Sequence, residues 1–219
     1  MKIRTLDALD EAITTDLAWR KKELSVFRNQ VQKADRAIQR ALLRGAISLL
    51  YAHWEGFIKN SAHAYLCYLS RLNLTWDQLR PEIVGLAMRR ELIQFGETNR
   101  PHIHAQIVRQ LREGSAELAR IPDNRDAIRT MANLNFSRLE DILVSIGCDC
   151  GRYASYRDLI DEQLLASRNR IVHGEDDYIA LTDWVDLRKE ILYIMDDVSR
   201  QIVNAAALKE YRAPILKMA

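Results

Sequence analysis

Apolar residues recur along this chain at the three- and four-residue intervals of amphipathic helices. Residues 5–34 are rich in charge but keep one apolar row, which predicts an outer helix capped by Thr5. Residues 35–72 carry a much wider apolar face and predict the central helix of the fold. That face consists of Leu43, Ala46, Ile47, Leu50, Trp54, Phe57, Ile58 and Tyr65.

The chain beyond the central helix predicts shorter helices and then one more long helix. Residues 75–126 read as a helical insertion, divided into short segments by Pro81, Gly96, Pro101, Gly114 and Pro122. Asn135 predicts the cap of a helix that Gly147 ends, because glycine tolerates the left-handed position there. Thr182 predicts the cap of a final helix, whose strict periodicity favours packing along the central one.

Composition favours helices throughout. Only eight glycines and four prolines occur in 219 residues, whereas sandwiches and barrels need a turn about every ten residues. We therefore predict an all-α fold, a helical bundle in which two long helices pack together and a set of shorter helices is inserted. No repeat or long linker divides the chain, so residues 1–219 are expected to form one domain, with 75–126 as the insertion and 213–219 as a tail.

Charge and cysteine content exclude several classes of protein. The chain has 32 basic and 30 acidic residues, so no global positive field exists and any nucleic-acid contact must be local. The three cysteines, Cys67, Cys148 and Cys150, cannot form a disulfide framework or a four-ligand zinc site. Neither a signal peptide nor a run of about 20 apolar residues is present, so we expect a cytoplasmic protein without membrane contact. No phosphate-binding glycine loop occurs, and no cofactor is expected.

Arg168 is out of place in the helix predicted for residues 155–173, which Gly174 ends. On an ideal α-helix with about 100° per residue, Arg168 lies about 80° from Ile160, in the middle of an apolar arc. The arc also contains Ile171, Leu164, Val172 and Leu165. A buried guanidinium loses much hydration energy unless an anion meets it. We therefore expect Arg168 to meet an acidic side chain of another helix or a ligand.

Two acidic residues are candidates for meeting Arg168. Asp161 shares its arc but lies about 10.5 Å away along the helix axis, which is too far for a direct pair. Glu55 is the better candidate, because it belongs to a polar stripe on the otherwise apolar central helix, together with Arg44, Ser48 and Lys59. Glu55 and Lys59 also have the four-residue spacing of a routine surface pair, so a purely structural role for Glu55 stays open.

His173 completes a candidate reaction centre. It lies about 140° from Arg168 on an ideal helix, whereas Asn169, four residues before it, can orient its imidazole. RNA can be cleaved without a metal if a base takes the 2′-hydroxyl proton, a cation stabilises the phosphorane and an acid protonates the leaving oxygen. One chain supplies one such histidine, so two chains around a twofold axis would supply both base and acid. A structural arginine followed by a helix-ending histidine is the alternative interpretation.

The segment Ser167-Arg168-Asn169-Arg170-Ile171-Val172-His173-Gly174 resembles the signature of the HEPN superfamily, an arginine and a polar residue followed after three positions by a histidine. Residues 51–59, 133–136 and 160–165 resemble a prokaryotic, MAE-type HEPN subgroup of stand-alone nuclease-like proteins, often found with defence or toxin–antitoxin loci. The resemblance implies a helical bundle that dimerises through its motif helices. It also implies metal-independent endoribonuclease activity centred on Arg168 and His173, with Asn169 in support and an antitoxin or defence protein as partner.

The loop after the motif departs from some members of that family. HEPN toxins can carry a tyrosine two residues after the histidine, where this chain has Glu175, followed by Asp176 and Asp177. An acidic loop beside the site would repel phosphate. The alternatives to a ribonuclease are a non-catalytic HEPN module that binds a nucleotide or a partner chain, and a structural adaptor in which Arg168 pairs with a buried acid.

Four further histidines are weighed as metal ligands or packing residues. His102 and His104 have a spacing that can chelate a metal on a strand, but a helix starting at Pro101 points their rings apart. No metal site is therefore expected. His53 and His63, ten residues apart on the central helix, are expected to serve in packing or to lie at the surface.

Overall fold

The computed structural model describes residues 3–214, and α-helices make up most of them. The α-helices are α1 (Leu6–Lys33), α2 (Arg36–Leu69), α3 (Pro81–Ala87), α4 (Arg89–Glu97), α5 (Pro101–Glu113), α6 (Phe136–Ser145), α7 (Ser167–Val172) and α8 (Leu181–Ala207). Short 3₁₀-helices cover Trp76–Gln78, Arg125–Ala127 and Gly151–Tyr156, and a π-helix covers Leu159–Ala166. Extended pairing between residues 3 and 214 is limited to two isolated β-bridges, so the predicted all-α class is confirmed.

The first two helices begin at side chains that cap them. The Thr5 hydroxyl accepts a hydrogen bond from the backbone N–H of Ala8 at 3.1 Å, as predicted. The Asp35 carboxylate accepts from two backbone N–H groups in the first turn of α2, each at 3.0 Å. Each cap satisfies donors that the first helical turn cannot satisfy itself. Since only Ala34 and Asp35 separate the two helices, α1 and α2 form a tight hairpin.

Helices α1, α2 and α8 pack around one another and build the centre of the fold. Most of the second half of α2 is buried, and α8 packs along α2 as its periodicity predicted. Helix α6 and the π-helix add their apolar faces to the same core. The largest fully buried side chains are Trp54, Trp184, Tyr51, Tyr65, Tyr153 and Phe57. That residues 1–219 form one domain stays a prediction.

Residues 75–126 contain the short helical segments that proline and glycine predicted, namely α3, α4 and α5 with 3₁₀ turns on either side. The two ends of the segment are joined by backbone hydrogen bonds, in which Trp76 donates to Glu117 at 3.1 Å and Ala119 donates to Leu74 at 2.8 Å.

No helix between residues 3 and 214 combines the length and apolar character that crossing a bilayer requires. Of the tail predicted at 213–219, residues 215–219 lie outside the described part of the chain.

The helix predicted for residues 155–173 is not a uniform α-helix. It begins as the 3₁₀-helix Gly151–Tyr156, contains the π-helix Leu159–Ala166 and ends as the α-helix α7. A π-helix closes hydrogen bonds between residues five apart, so each residue turns less than in an α-helix. Leu164 and Leu165 of the predicted apolar arc are buried, but the angular positions predicted beyond the π-helix do not hold. Val172, placed in the apolar arc, is 60% exposed, whereas Ser167 is buried.

The start of α8 also differs from its prediction. Ala180 takes the N-cap position, and its carbonyl accepts the N–H of Trp184 at 3.1 Å to close the first turn. Thr182 lies inside that turn, where its hydroxyl donates to the Asp183 carboxylate at 3.2 Å. The assignment of Thr182 as the cap was therefore wrong by two residues, because the backbone already becomes helical at Leu181.

Candidate functional site

Arg168 lies in the first turn of α7 and is half-buried against α2. Its guanidinium carbon is 4.6 Å from the centroid of the Tyr51 ring, so the cation lies over an aromatic face. One terminal nitrogen, Nη1, donates to Oδ1 of Asn169 at 2.9 Å. Within residues 3–214 no carboxylate forms an ion pair with Arg168. Of the two expected partners, an acidic side chain of another helix or a ligand, the first is absent within residues 3–214, and the Tyr51 ring packs against the cation instead.

Tyr51 supplies the aromatic ring against which the Arg168 guanidinium packs. Burial is the main reason that the pKa of Tyr51 is raised to about 12. A hydrogen bond from Leu134 and the charge of Arg168 lower this pKa, and the Glu55 carboxylate raises it again. The phenol therefore stays neutral over the physiological range. Glu55, the candidate partner of Arg168, forms no ion pair with it within residues 3–214, and its charge instead raises the pKa of the Tyr51 hydroxyl.

A short segment before α6 fixes the position of Tyr51. The backbone N–H of Leu134 donates to the Tyr51 hydroxyl at 2.6 Å, and both residues are buried. The Trp54 indole N–H donates back to the Leu134 carbonyl at 3.4 Å. These two bonds join one turn of α2 to the segment 133–136 and hold the Tyr51 ring in place for Arg168.

Asp161 connects the same segment to the π-helix. Its carboxylate accepts the backbone N–H of Phe136 at 2.6 Å, while Asn135 accepts the N–H of Arg138 at 2.9 Å as the predicted cap of α6. The prediction that Asp161 does not pair with Arg168 is consistent with this contact. The three segments that carry the family resemblance are therefore bonded to one another around Arg168.

His173 ends α7 and is exposed to solvent. Gly174 follows with φ of +83°, the left-handed conformation predicted for it. The N–H of Gly174 donates to Ile171 at 3.1 Å and the N–H of Glu175 donates to Arg170 at 2.9 Å, which is the Schellman arrangement of a helix end. This stop holds the histidine backbone firmly while its ring faces outward. The prediction that Asn169 orients the imidazole of His173 is not met within the chain, because the Asn169 amide oxygen accepts a hydrogen bond from Arg168 instead.

The acidic loop after the motif is held by arginines. Asp176 accepts from Arg40 at 2.7 and 2.8 Å and lies 3.8 Å from Arg44, both on α2. Asp177 pairs with Arg170 of α7 at 3.1 Å. The expected repulsion of phosphate by these carboxylates is therefore offset, because their charge is paired with nearby cations.

The two aspartates differ in the strength of this pairing. The Asp177 side chain is only 16% exposed, and Arg170 also donates to it from a second nitrogen at 3.2 Å. Asp176 is 75% exposed, so water and salt screen its contact with Arg40. The Arg170 to Asp177 pair is the contact that fastens the loop to the motif helix.

The remaining histidines sit in structural settings. His104 lies on α5 and its Nε2 is 2.7 Å from the Thr98 carbonyl and 3.2 Å from that of Phe95, while His102 is exposed. Helix α5 begins at Pro101, as predicted. No cluster of three or more side chains suited to hold a metal ion occurs in residues 3–214.

The two histidines of α2 are both buried, in line with the packing interpretation. His53 Nε2 is 2.7 Å from the Glu23 carboxylate. Burial and the charge of Arg20 lower the pKa of His53, although Glu23 opposes them. His63 Nε2 is 2.9 Å from the Asp123 carbonyl. Both rings fasten neighbouring segments to α2.

Sequence reasoning missed three residues that shape the site. Tyr51 had a signal, because it precedes Glu55 by one helical turn and so extends the polar stripe of α2. No sequence signal pointed to Arg40 or Arg170, because only the fold brings their partners in the acidic loop close to them.

The all-α fold described above is consistent with the helical fold of a HEPN domain. The model of one HEPN family, HEPN_MAE_28990, matches residues 9–211 of the chain. The chain therefore belongs to this HEPN family. Comparison with curated proteins and with solved structures gave no match.

Proposed function

We propose that this HEPN protein is an endoribonuclease that cleaves RNA without a metal ion through Arg168 and His173. The observation that carries the proposal is the setting of Arg168, which is half-buried and held by Tyr51 and Asn169 without an acidic partner in residues 3–214. Such a cation is prepared to receive an anion. HEPN domains are commonly ribonucleases, and a phosphodiester is the anion that this family resemblance implies.

The reaction follows from the chemistry of these side chains. A neutral His173 takes the proton of the 2′-hydroxyl, and the freed oxygen forms a bond to the adjacent phosphorus. Arg168 stabilises the charge that develops on the phosphorane oxygens. A protonated histidine then gives its proton to the leaving 5′-oxygen as that bond breaks. The products are a 2′,3′-cyclic phosphate and a 5′-hydroxyl.

Base and acid must come from two histidines, so the proposal includes a homodimer. Two exposed apolar side chains support such an interface, namely Val172 at the end of α7, which is 60% exposed, and Tyr178 in the following loop, which is 75% exposed. Contact between two α7 helices would cover them and bring both His173 rings toward one cleft. A toxin or defence effector controlled by an antitoxin or other partner protein is the biological role we propose for such an enzyme.

The test is cleavage of labelled RNA by the purified protein in the presence of a chelator. The expected result is fragments ending in 2′,3′-cyclic phosphate, which His173→Ala abolishes. His102→Ala is the matched control, because His102 is also an exposed histidine on a helix but lies outside the site, and it should cleave normally. Cleavage that persists in His173→Ala, or that requires a divalent ion, would show that the mechanism is wrong.

The shared site is tested by mixing the wild type with increasing amounts of His173→Ala. If base and acid come from two chains, a mixed dimer holds only one His173 and should not cleave, so activity should fall with the square of the wild-type fraction. A fall in simple proportion to that fraction is expected if each chain has its own site. RNA binding that Arg168→Glu abolishes, without cleavage by the wild type, would instead identify a non-catalytic binding module.

A further inference from the structure

A row of arginines on α2 runs toward the candidate site. Arg36, Arg40 and Arg44 follow one another at four-residue spacing, so they lie about one turn apart on one face of the helix. With about 100° per residue, Tyr51 belongs to the same face, about 10.5 Å beyond Arg44 along the axis. The Arg168 guanidinium lies 4.6 Å from the centroid of the Tyr51 ring. The row therefore ends at the cation assigned to RNA cleavage.

The arginines of this row are accessible from solvent. The Arg40 side chain is 54% exposed and that of Arg44 is 25% exposed. Arg36 is exposed as well and forms no ion pair within residues 3–214. By contrast, Arg20 and Arg188 are almost fully buried and belong to the interior of the fold. A strand lying along this face of α2 can reach all three guanidinium groups without any rearrangement of the helix.

Two of these arginines bind a carboxylate from the loop that follows the motif. Both oxygens of Asp176 accept from Nη2 of Arg40, at 2.7 and 2.8 Å, and one of them is 3.8 Å from Nη1 of Arg44. The same nitrogen of Arg44 donates to the backbone carbonyl of Asp177 at 3.5 Å. Arginine binds carboxylates and phosphates through the same N–H donors. Asp176 therefore occupies the donors that a phosphate group would use.

The contact of Asp176 is one that a phosphate can replace. Its side chain is 75% exposed, so water and salt screen its attraction to Arg40. The neighbouring Asp177 is only 16% exposed and fastens the loop to Arg170. Asp176 can therefore leave Arg40 by rotation of its own side chain while the loop stays attached to α7. The carboxylate and a phosphate thus compete for the same guanidinium groups.

We propose that Arg36, Arg40 and Arg44 bind the phosphate backbone of the RNA that is cleaved at Arg168, and that Asp176 occupies this row until RNA arrives. This path rests on the proposed ribonuclease function, because it continues the site at Arg168 along α2. Its contacts go to phosphates and not to bases, so they position the strand without a sequence preference. Each bound phosphate also releases counterions, which makes the affinity depend on salt.

Binding of an unstructured, fluorescently labelled RNA to the His173→Ala protein tests this path, because on the proposed function that variant binds RNA without cutting it. Arg40→Gln in this parent should raise Kd about threefold to tenfold. It should also reduce the slope of log K against log salt by about 0.7, the value for one phosphate of a single strand. Urea unfolding verifies that each variant is folded, as expected for substitution of an exposed side chain.

Arg71→Gln is the matched control. Arg71 is also an exposed arginine paired with an exposed aspartate, Asp123 at 2.9 Å, but it lies just beyond the opposite end of α2. Its removal takes the same charge from the protein at a place that the path does not reach. The Kd and the salt slope of Arg71→Gln should therefore equal those of the parent.

Removing the competing carboxylate should act in the opposite direction. Asp176→Asn should lower Kd about threefold, whereas Asp123→Asn, which removes the same charge from the control pair, should leave Kd unchanged. In a protein that also carries Arg40→Gln and Arg44→Gln, the gain from Asp176→Asn should disappear, because neither arginine remains to be freed. An equal gain in both proteins would mean that Asp176 acts by net charge alone, and would overturn the competition for these arginines.

The remaining outcomes separate the path from the cleavage reaction. If Arg40→Gln binds RNA as tightly as its parent, or Arg71→Gln loses as much affinity, the path along α2 is wrong while cleavage through Arg168 and His173 can still be correct. If the wild type binds RNA through Arg40 but does not cut it, the path is upheld and only the catalytic assignment fails. If the parent does not bind RNA at all, the path and the proposed function fail together.

Discussion

Removing the hydroxyl of Tyr51 tests whether the segment before α6 holds the candidate site. Tyr51→Phe keeps the ring under Arg168 but takes away the acceptor of the Leu134 N–H, which is 2.6 Å away in the buried core. A buried donor left without a partner costs about 1 to 3 kcal/mol. For a protein of this size each kcal/mol corresponds to about 2 to 4 °C in Tm. We therefore expect Tyr51→Phe to lower Tm by several degrees.

The same helix offers a matched control. Tyr65 of α2 is also fully buried, but its hydroxyl makes no hydrogen bond within residues 3–214. Tyr65→Phe removes a buried polar atom that gains nothing from the fold, so this variant should be neutral or more stable. Urea unfolding of the two variants and the wild type measures the contrast directly.

Hydrogen exchange locates the effect. The amide of Leu134 should exchange slowly in the wild type and faster in Tyr51→Phe, whereas Tyr65→Phe should leave it unchanged. Equal stability of Tyr51→Phe and the wild type would refute the role given to this bond. On the proposed function, RNA cleavage per folded molecule should fall much more in Tyr51→Leu, which removes the aromatic face under Arg168, than in Tyr51→Phe, which keeps it.

Two further predictions concern charges. Burial raises the pKa of Asp197, but hydrogen bonds from Tyr153, Arg200 and Arg152 outweigh burial and lower the pKa overall. The ionised Asp197 therefore stabilises the fold fully above its unfolded pKa of about 4. This contribution is lost as the pH falls through the lower pKa of the folded state. Tyr153→Phe should therefore lower the free energy of unfolding by about 1.5 to 3 kcal/mol at neutral pH and by much less in acid. Urea unfolding at the two pH values measures this difference, and an equal loss of stability at each pH would contradict the role given to this hydrogen bond. Asp177→Asn frees Arg170 and, on the proposed function, should tighten RNA binding and steepen its salt dependence by about one ion. The control Asp186→Asn removes the same charge from an exposed position of α8, and an equal gain in both variants would mean that net charge alone is responsible.

The long helices follow from local signals that sequence displays. The apolar rows of α1, α2 and α8 repeat at helical spacing, and the side chains of Thr5 and Asn135 satisfy the first N–H groups of their own helices. Such information lies within a few residues, so no knowledge of the rest of the fold is needed. The same holds for Gly174, whose left-handed conformation ends the motif helix.

The orientation of Arg168 depended on information that is not local. A helical wheel drawn with a constant rotation per residue does not account for the π-helix before α7, and this π-helix changes the direction of every later side chain. The ring that Arg168 contacts belongs to Tyr51, far earlier in the chain, and the partners of Asp176 and Asp177 are likewise brought together only by packing. The motif residues were therefore identifiable from the sequence, whereas the contacts that position them were not.

The bond between Tyr51 and Leu134 has a consequence for the order in which a growing chain acquires its parts. Helices α1 and α2 are adjacent in sequence and can pair as soon as both leave the ribosome. The Tyr51 hydroxyl gains its hydrogen bond only when Leu134 has been synthesised, the neighbouring Phe136 is bonded only after Asp161, and the Tyr51 ring meets its cation only after Arg168. A product cut short by premature termination before α7 would hold a folded hairpin but no arginine over its ring, so the candidate centre arises only in nearly finished molecules.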